Sequence, residues 1–125
     1  MRKIGWIGAG IMGQPMVIHL LNKGYEVHVY ARHPERVEQA KNAGAILEES
    51  IVSLTSNVDV ICTMVGFPSD VKEVYDVIFS CIDAGKTCID FTTSSPKLAK
   101  ELYTKGKEIG CSCIGCASDW WRYGS

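Results

Sequence analysis

Lys3-Ile-Gly-Trp-Ile7 running straight into Gly8-Ala9-Gly10-Ile11-Met12-Gly13 is the stretch that decides the fold. A short apolar strand that opens into glycines spaced G-x-G-x-x-G is the arrangement that binds a dinucleotide phosphate. Gly8 is suited to the tight turn out of the strand, Gly10 to close approach of the backbone to a pyrophosphate, and Gly13 to close packing of helix on strand. The start of the following helix presents N–H groups with no partner inside the helix, which attract an anion. Glycine-rich turns are common, so the flanks carry the reading. Met16, Leu20 and Leu21 recur at helical spacing up to Gly24, which is placed to end the helix.

Outward from this unit the pattern alternates. Glu26-Val-His-Val-Tyr30 reads as a strand, and Pro34 opens a charged helical stretch over Glu35 to Asn42 that ends at Gly44. Ala45 to Leu47 reads as a brief strand and Ser50 to Ser56 as a short helix. Val58-Asp-Val-Ile-Cys-Thr-Met-Val65 is almost continuously apolar, as expected of a strand buried on both faces. Ser69 is placed to cap a helix through Val71, Val74, Val77 and Ile78. A buried strand, Thr87 to Phe91, follows Gly85. Ser95 and Pro96 start a last helix that carries Leu98, Leu102 and Ile109 on one side and stops at Gly110. Strands alternating with helices predict a doubly wound parallel α/β sheet of Rossmann type, folded as a single domain.

Composition narrows the function. The chain has 125 residues, 46% of them hydrophobic, enough for one real core and too few for two domains. Its net charge of −1, with basic residues dispersed, points away from nucleic acid and from a charged membrane surface. No apolar run approaches the roughly 20 residues of a membrane span, and the N-terminus enters a strand without a signal-peptide core, so a cytoplasmic protein is expected. Cys62, Cys81, Cys88, Cys111, Cys113 and Cys116 lie largely in apolar runs and are expected to be reduced structural thiols. Cys111, Cys113 and Cys116 lack an evident fourth ligand, so no metal site is expected. His19 and His28 are expected to be packing or surface residues.

The end of the second strand bears on the cofactor. NAD-binding folds place a carboxylate there to accept hydrogen bonds from the adenosine ribose. Here the segment reads Tyr30-Ala31-Arg32-His33, with no carboxylate and with a guanidinium able to grip a 2′-phosphate. NADP(H) is therefore expected, with NAD as the alternative.

Together, Gly8-Ala-Gly-Ile-Met-Gly-Gln-Pro-Met16, Tyr30-Ala-Arg32, Thr63-Met-Val-Gly66 and Asp90-Phe-Thr-Thr-Ser-Ser-Pro96 resemble the β-hydroxyacid dehydrogenase family over residues 1 to about 114. That family includes 3-hydroxyisobutyrate dehydrogenase, tartronate semialdehyde reductase and the 6-phosphogluconate dehydrogenases. The resemblance implies cofactor contacts from Gly8, Ala9, Gly10, Ile11, Met12, Gly13, Ala31, Arg32 and His33. It further implies contacts from Met64, Val65, Gly66 and Asp70 in and after the fourth-strand loop, and from Thr93 on the nicotinamide side. The implied reaction is hydride transfer between the nicotinamide and a small 3-hydroxyacid or its semialdehyde. The family's proton-moving lysine lies on a second, helical domain, so no catalytic residue is assigned in this chain, and the chain alone is expected to be inactive. An uncovered sheet edge predicts a homodimer or poor solubility. The alternative is a stand-alone nucleotide-binding or interaction module.

The similarity stops where family members continue with Asp-Ala-Pro-Val-Ser/Thr-Gly-Gly and this chain reads Gly115-Cys-Ala-Ser-Asp-Trp-Trp121. Tryptophan has the single codon TGG, so Asp119-Trp-Trp121 read one base later gives Thr or Ile, then Gly, Gly. With suitable degenerate bases the same offset turns Cys116 to Tyr123 into Ala-Pro-Val-Thr-Gly-Gly-Asp. Residues 115–125 are thus expected to be an out-of-frame tail on a domain spanning residues 1–114.

Overall fold

The computed structural model describes residues 3–8, 10–64, 68–91 and 96–114. Among these, strands β1 (Lys3–Ile7), β2 (Glu26–Tyr30), β3 (Ile46–Leu47), β4 (Val60–Thr63), β5 (Thr87–Asp90) and β6 (Ser112–Ile114) form one sheet. The order is β3-β2-β1-β4-β5-β6 and every pairing is parallel. Helices α1 (Gly10–Asn22), α2 (Glu38–Asn42), α3 (Ile51–Asn57), α4 (Pro68–Cys81) and α5 (Pro96–Ile109) connect them. A doubly wound sheet is what the strand–helix alternation predicts.

The two faces have separate cores. On one, Trp6, Val27, Val29 and Cys62 pack against Val17 of α1 and Ala40 of α2. On the other, Ile7 and Ile61 pack against Leu54 of α3, Tyr75 and Ile78 of α4 and Leu102 of α5. Helices therefore change face between β1 and β4, the switch point at which this architecture opens a crevice above the strand ends.

Several local expectations shift. Among the described side chains of α1, Val17 and Gln14 are buried, while Met16 is 42% exposed. Among the described side chains of α4, Val71, Val74, Tyr75 and Ile78 are buried, and Val77 faces outward. The helix expected over Glu35 to Asn42 is a 3-10 turn, Pro34–Val37, followed by the short α2. The fourth strand is narrower than Val58 to Val65, because Val58 ends α3 in extended conformation. Helix α4 begins at Pro68, so Ser69 lies inside it and does not precede it as a cap; proline suits a first helical position, where its missing N–H has no partner to lose. Ser50 does cap α3, its hydroxyl accepting the Ser53 N–H at 3.0 Å.

Cys62, Cys81, Cys88, Cys111 and Cys113 are free thiols, all but Cys81 buried. Burial pushes the Cys62 thiol up to about 12; contact with Cys113, then burial, raises Cys88. Such thiols stay protonated and unreactive. Among the described residues no helix is long and apolar enough to cross a membrane, and no cluster of metal-ligating side chains occurs.

Candidate functional site

The crevice is built from strand ends held in step. Ile7 pairs with Tyr30 on one side and with Thr63 on the other, and Thr63 pairs with Asp90. Just beyond, Gly8 donates its N–H to the Tyr30 carbonyl at 3.1 Å, Met64 to Ile7 at 2.9 Å and Phe91 to Thr63 at 2.8 Å. These bonds fix where each loop leaves the sheet.

Gly8 turns at φ +80°, a left-handed conformation that costs a side-chain-bearing residue about 1–2 kcal/mol. Helix α1 begins two residues later, with no acidic residue in its first turn. Its leading N–H groups therefore meet no carboxylate from their own helix, the electrostatic condition under which a helix start can accept an anion. Gly10, Ile11, Met12 and Gly13 form the start of α1. Gln14, absent from the sequence expectations, is buried and accepts the Ala40 N–H on its side-chain carbonyl at 3.2 Å, locking α1 to α2.

At the end of β2, Ala31 packs partly buried against the Trp6 core. Arg32 extends outward, 67% exposed, and its guanidinium meets the Glu73 carboxylate of α4 at 3.5 Å. His33 lies 3.7 Å from Glu35. Across the crevice, Met64 is half-buried against the same core as Ala31, and Asp70 is the third residue of α4. Ala9, Val65, Gly66 and Thr93 lie outside the described residues, as do residues 115–125.

Beneath the crevice is a polar network that the sequence reading missed. The Thr63 hydroxyl donates to Asp90 Oδ1 at 2.8 Å and lies 3.1 Å from the Tyr75 hydroxyl, all within the core. Burial above all holds the Tyr75 phenol above its ordinary value, so it stays a neutral donor toward Thr63. The available signal was a lone carboxylate closing an apolar strand, Thr87-Cys-Ile-Asp90.

His28 also stands out. It is buried in the middle of β2, with Nε2 2.7 Å from Glu26 and Nδ1 2.6 Å from Glu48. Glu48 is held further by the Ser53 hydroxyl at 2.6 Å and the Asn57 amide at 3.1 Å. This cluster joins β2, the end of β3 and α3, away from the crevice.

The family model for the NAD binding domain of 6-phosphogluconate dehydrogenase matches residues 3–117. Among curated proteins, the oxidoreductase YkwC of Bacillus subtilis is 44% identical over 110 residues, covering 86% of this chain. The 2-hydroxy-3-oxopropionate reductase of Escherichia coli is 34% identical over 114 residues, again covering 86% of the chain. The chain spans 38% of the length of each. Among solved structures, Psf3 in complex with NADP+ and 2-OPP superposes with a TM-score of 0.83 at 27% identity, over 88% of this chain and 40% of that one.

Proposed function

The chain belongs to the β-hydroxyacid dehydrogenase family, through the domain described as the NAD binding domain of 6-phosphogluconate dehydrogenase, and from that premise we propose that it holds NADP(H) for oxidation of a small 3-hydroxyacid or reduction of its semialdehyde. The observation that carries the choice of NADP(H) is Arg32. It stands exposed at the end of β2, where residues 30–33 supply no carboxylate to repel a 2′-phosphate. The NADP+ complex of Psf3, a protein of similar fold, supports the same choice.

Within this reading the residues divide by role. Gly8 to Gly13 receive the pyrophosphate on backbone N–H groups, Ala31 leaves room for the adenosine, and Arg32 with His33 faces the 2′-phosphate. Met64, Val65, Gly66 and Asp70 are assigned further contacts with the cofactor, and Thr93 a contact with its nicotinamide, as the family resemblance implies. The bound nicotinamide supplies or accepts the hydride. The proton-moving lysine and the substrate carboxylate site that the family resemblance implies are assigned to no residue of 1–114.

The test is a titration of the chain with NADPH and NADH, repeated for Arg32→Ala. Loss of a charge-assisted phosphate contact of about 1.5–3 kcal/mol corresponds to a 10- to 150-fold weaker NADPH affinity, with NADH little changed. Equal losses for both would remove the 2′-phosphate assignment. The expected change of frame near residue 115 has its own test, the coding DNA read one base later from codon 115. Continuation into Ala-Pro-Val-Thr-Gly-Gly supports the change of frame, and its absence removes it.

A further inference from the structure

We infer that Glu73 is a specificity-determining residue that competes with the cofactor's 2′-phosphate for the Arg32 guanidinium and thereby narrows the preference for NADPH over NADH. This rests on the NADP(H) reading above. Arg32 lies two residues past the end of β2 and Glu73 in the second turn of α4, and their side chains meet at 3.5 Å. Both side chains are mostly exposed, so the pair contributes little to folding and is free to exchange partners.

The charge arithmetic gives the direction. A phosphate gripped by Arg32 sits on the order of 7 Å from a carboxylate on the far side of the guanidinium, inside the ~8 Å screening length at physiological salt. A dianion and a carboxylate at that separation repel enough to change affinity about two- to five-fold. NADH lacks the 2′-phosphate and leaves the Arg32–Glu73 pair in place, so it escapes most of this penalty. His33 is held similarly, 3.7 Å from Glu35, so each basic side chain at the end of β2 already has an acidic neighbour.

The experiment measures Kd for NADPH and NADH by titration calorimetry on the wild-type chain, Glu73→Gln, Arg32→Ala and Asp76→Asn. Asp76 is an exposed carboxylate one turn further along α4 and controls for charge alone. Glu73→Gln is expected to tighten NADPH two- to five-fold with NADH unchanged. The gain should shrink at 0.5 M salt, and Asp76→Asn should give less than half of it. An unchanged NADPH/NADH ratio in Glu73→Gln, or an equal effect of Asp76→Asn, overturns the role of Glu73 while leaving the cofactor reading intact if Arg32→Ala still weakens NADPH selectively. An NADPH/NADH ratio unchanged in both Glu73→Gln and Arg32→Ala, or no binding of either dinucleotide by the wild-type chain, overturns both.

Discussion

The Thr63 hydroxyl on β4 donates to the Asp90 carboxylate on β5 at 2.8 Å, and both side chains are fully buried directly under the strand ends that form the crevice. A carboxylate in a core is tolerated only with donors around it, and neighbouring parallel strands place this donor by register, Thr63 opposite Asp90. Thr63→Val keeps the shape and removes the hydroxyl from both Asp90 and Tyr75. It should lower unfolding free energy by about 1–3 kcal/mol in urea titrations, and Thr63→Ser should recover most of that.

Gly8→Ala places a Cβ on a backbone turning at φ +80°. Strain of about 1–2 kcal/mol should appear as a lower Tm. Dinucleotide binding should weaken more than stability alone explains, because the turn sets where the α1 amides point. Binding that survives at wild-type affinity would separate the turn from the phosphate site.

Stability should fall in acid partly through Glu48. Burial raises its pKa, but hydrogen bonds from Ser53, His28 and Asn57 outweigh burial and hold it below the ordinary carboxylate value. A lowered folded-state pKa stabilises the fold above the unfolded pKa of about 4.3, and that contribution disappears as pH falls through the folded value. Glu48→Gln should therefore cost about 1–3 kcal/mol at pH 7. The gap from wild type should close progressively below about pH 4 in denaturation curves taken across pH.

Gly5 sits in β1 under α3. A Cβ there would lie 2.5 Å from Leu54 Cδ2 and 2.9 Å from Val58 Cγ2. Leu54 is fully buried, so Gly5→Ala should cost about 1–3 kcal/mol by overpacking. In a Leu54→Val background the same change should cost less, a non-additivity read from a double-mutant cycle.

The strand–turn–helix unit at residues 3–22, the parallel alternation and the helix ends at Gly24, Gly44 and Gly110 were legible in the sequence. Each depends on local chemistry: hydrophobic period, missing Cβ atoms and proline's missing N–H. Arg32 was legible as a basic residue at the end of a strand for the same reason. What surrounds it was not. Glu73 is 41 positions away, and only the packing of α4 brings it to Arg32. The Thr63–Asp90 bond, the Glu26–His28–Glu48 contacts and the burial of Val17 in place of Met16 likewise depend on register and helix rotation. Which segments form strands and helices could be read from the sequence alone, because that is a property of neighbours along the chain. Only the tertiary structure decided which distant polar groups share a hydrogen bond, because that is set by how elements far apart in sequence pack against one sheet.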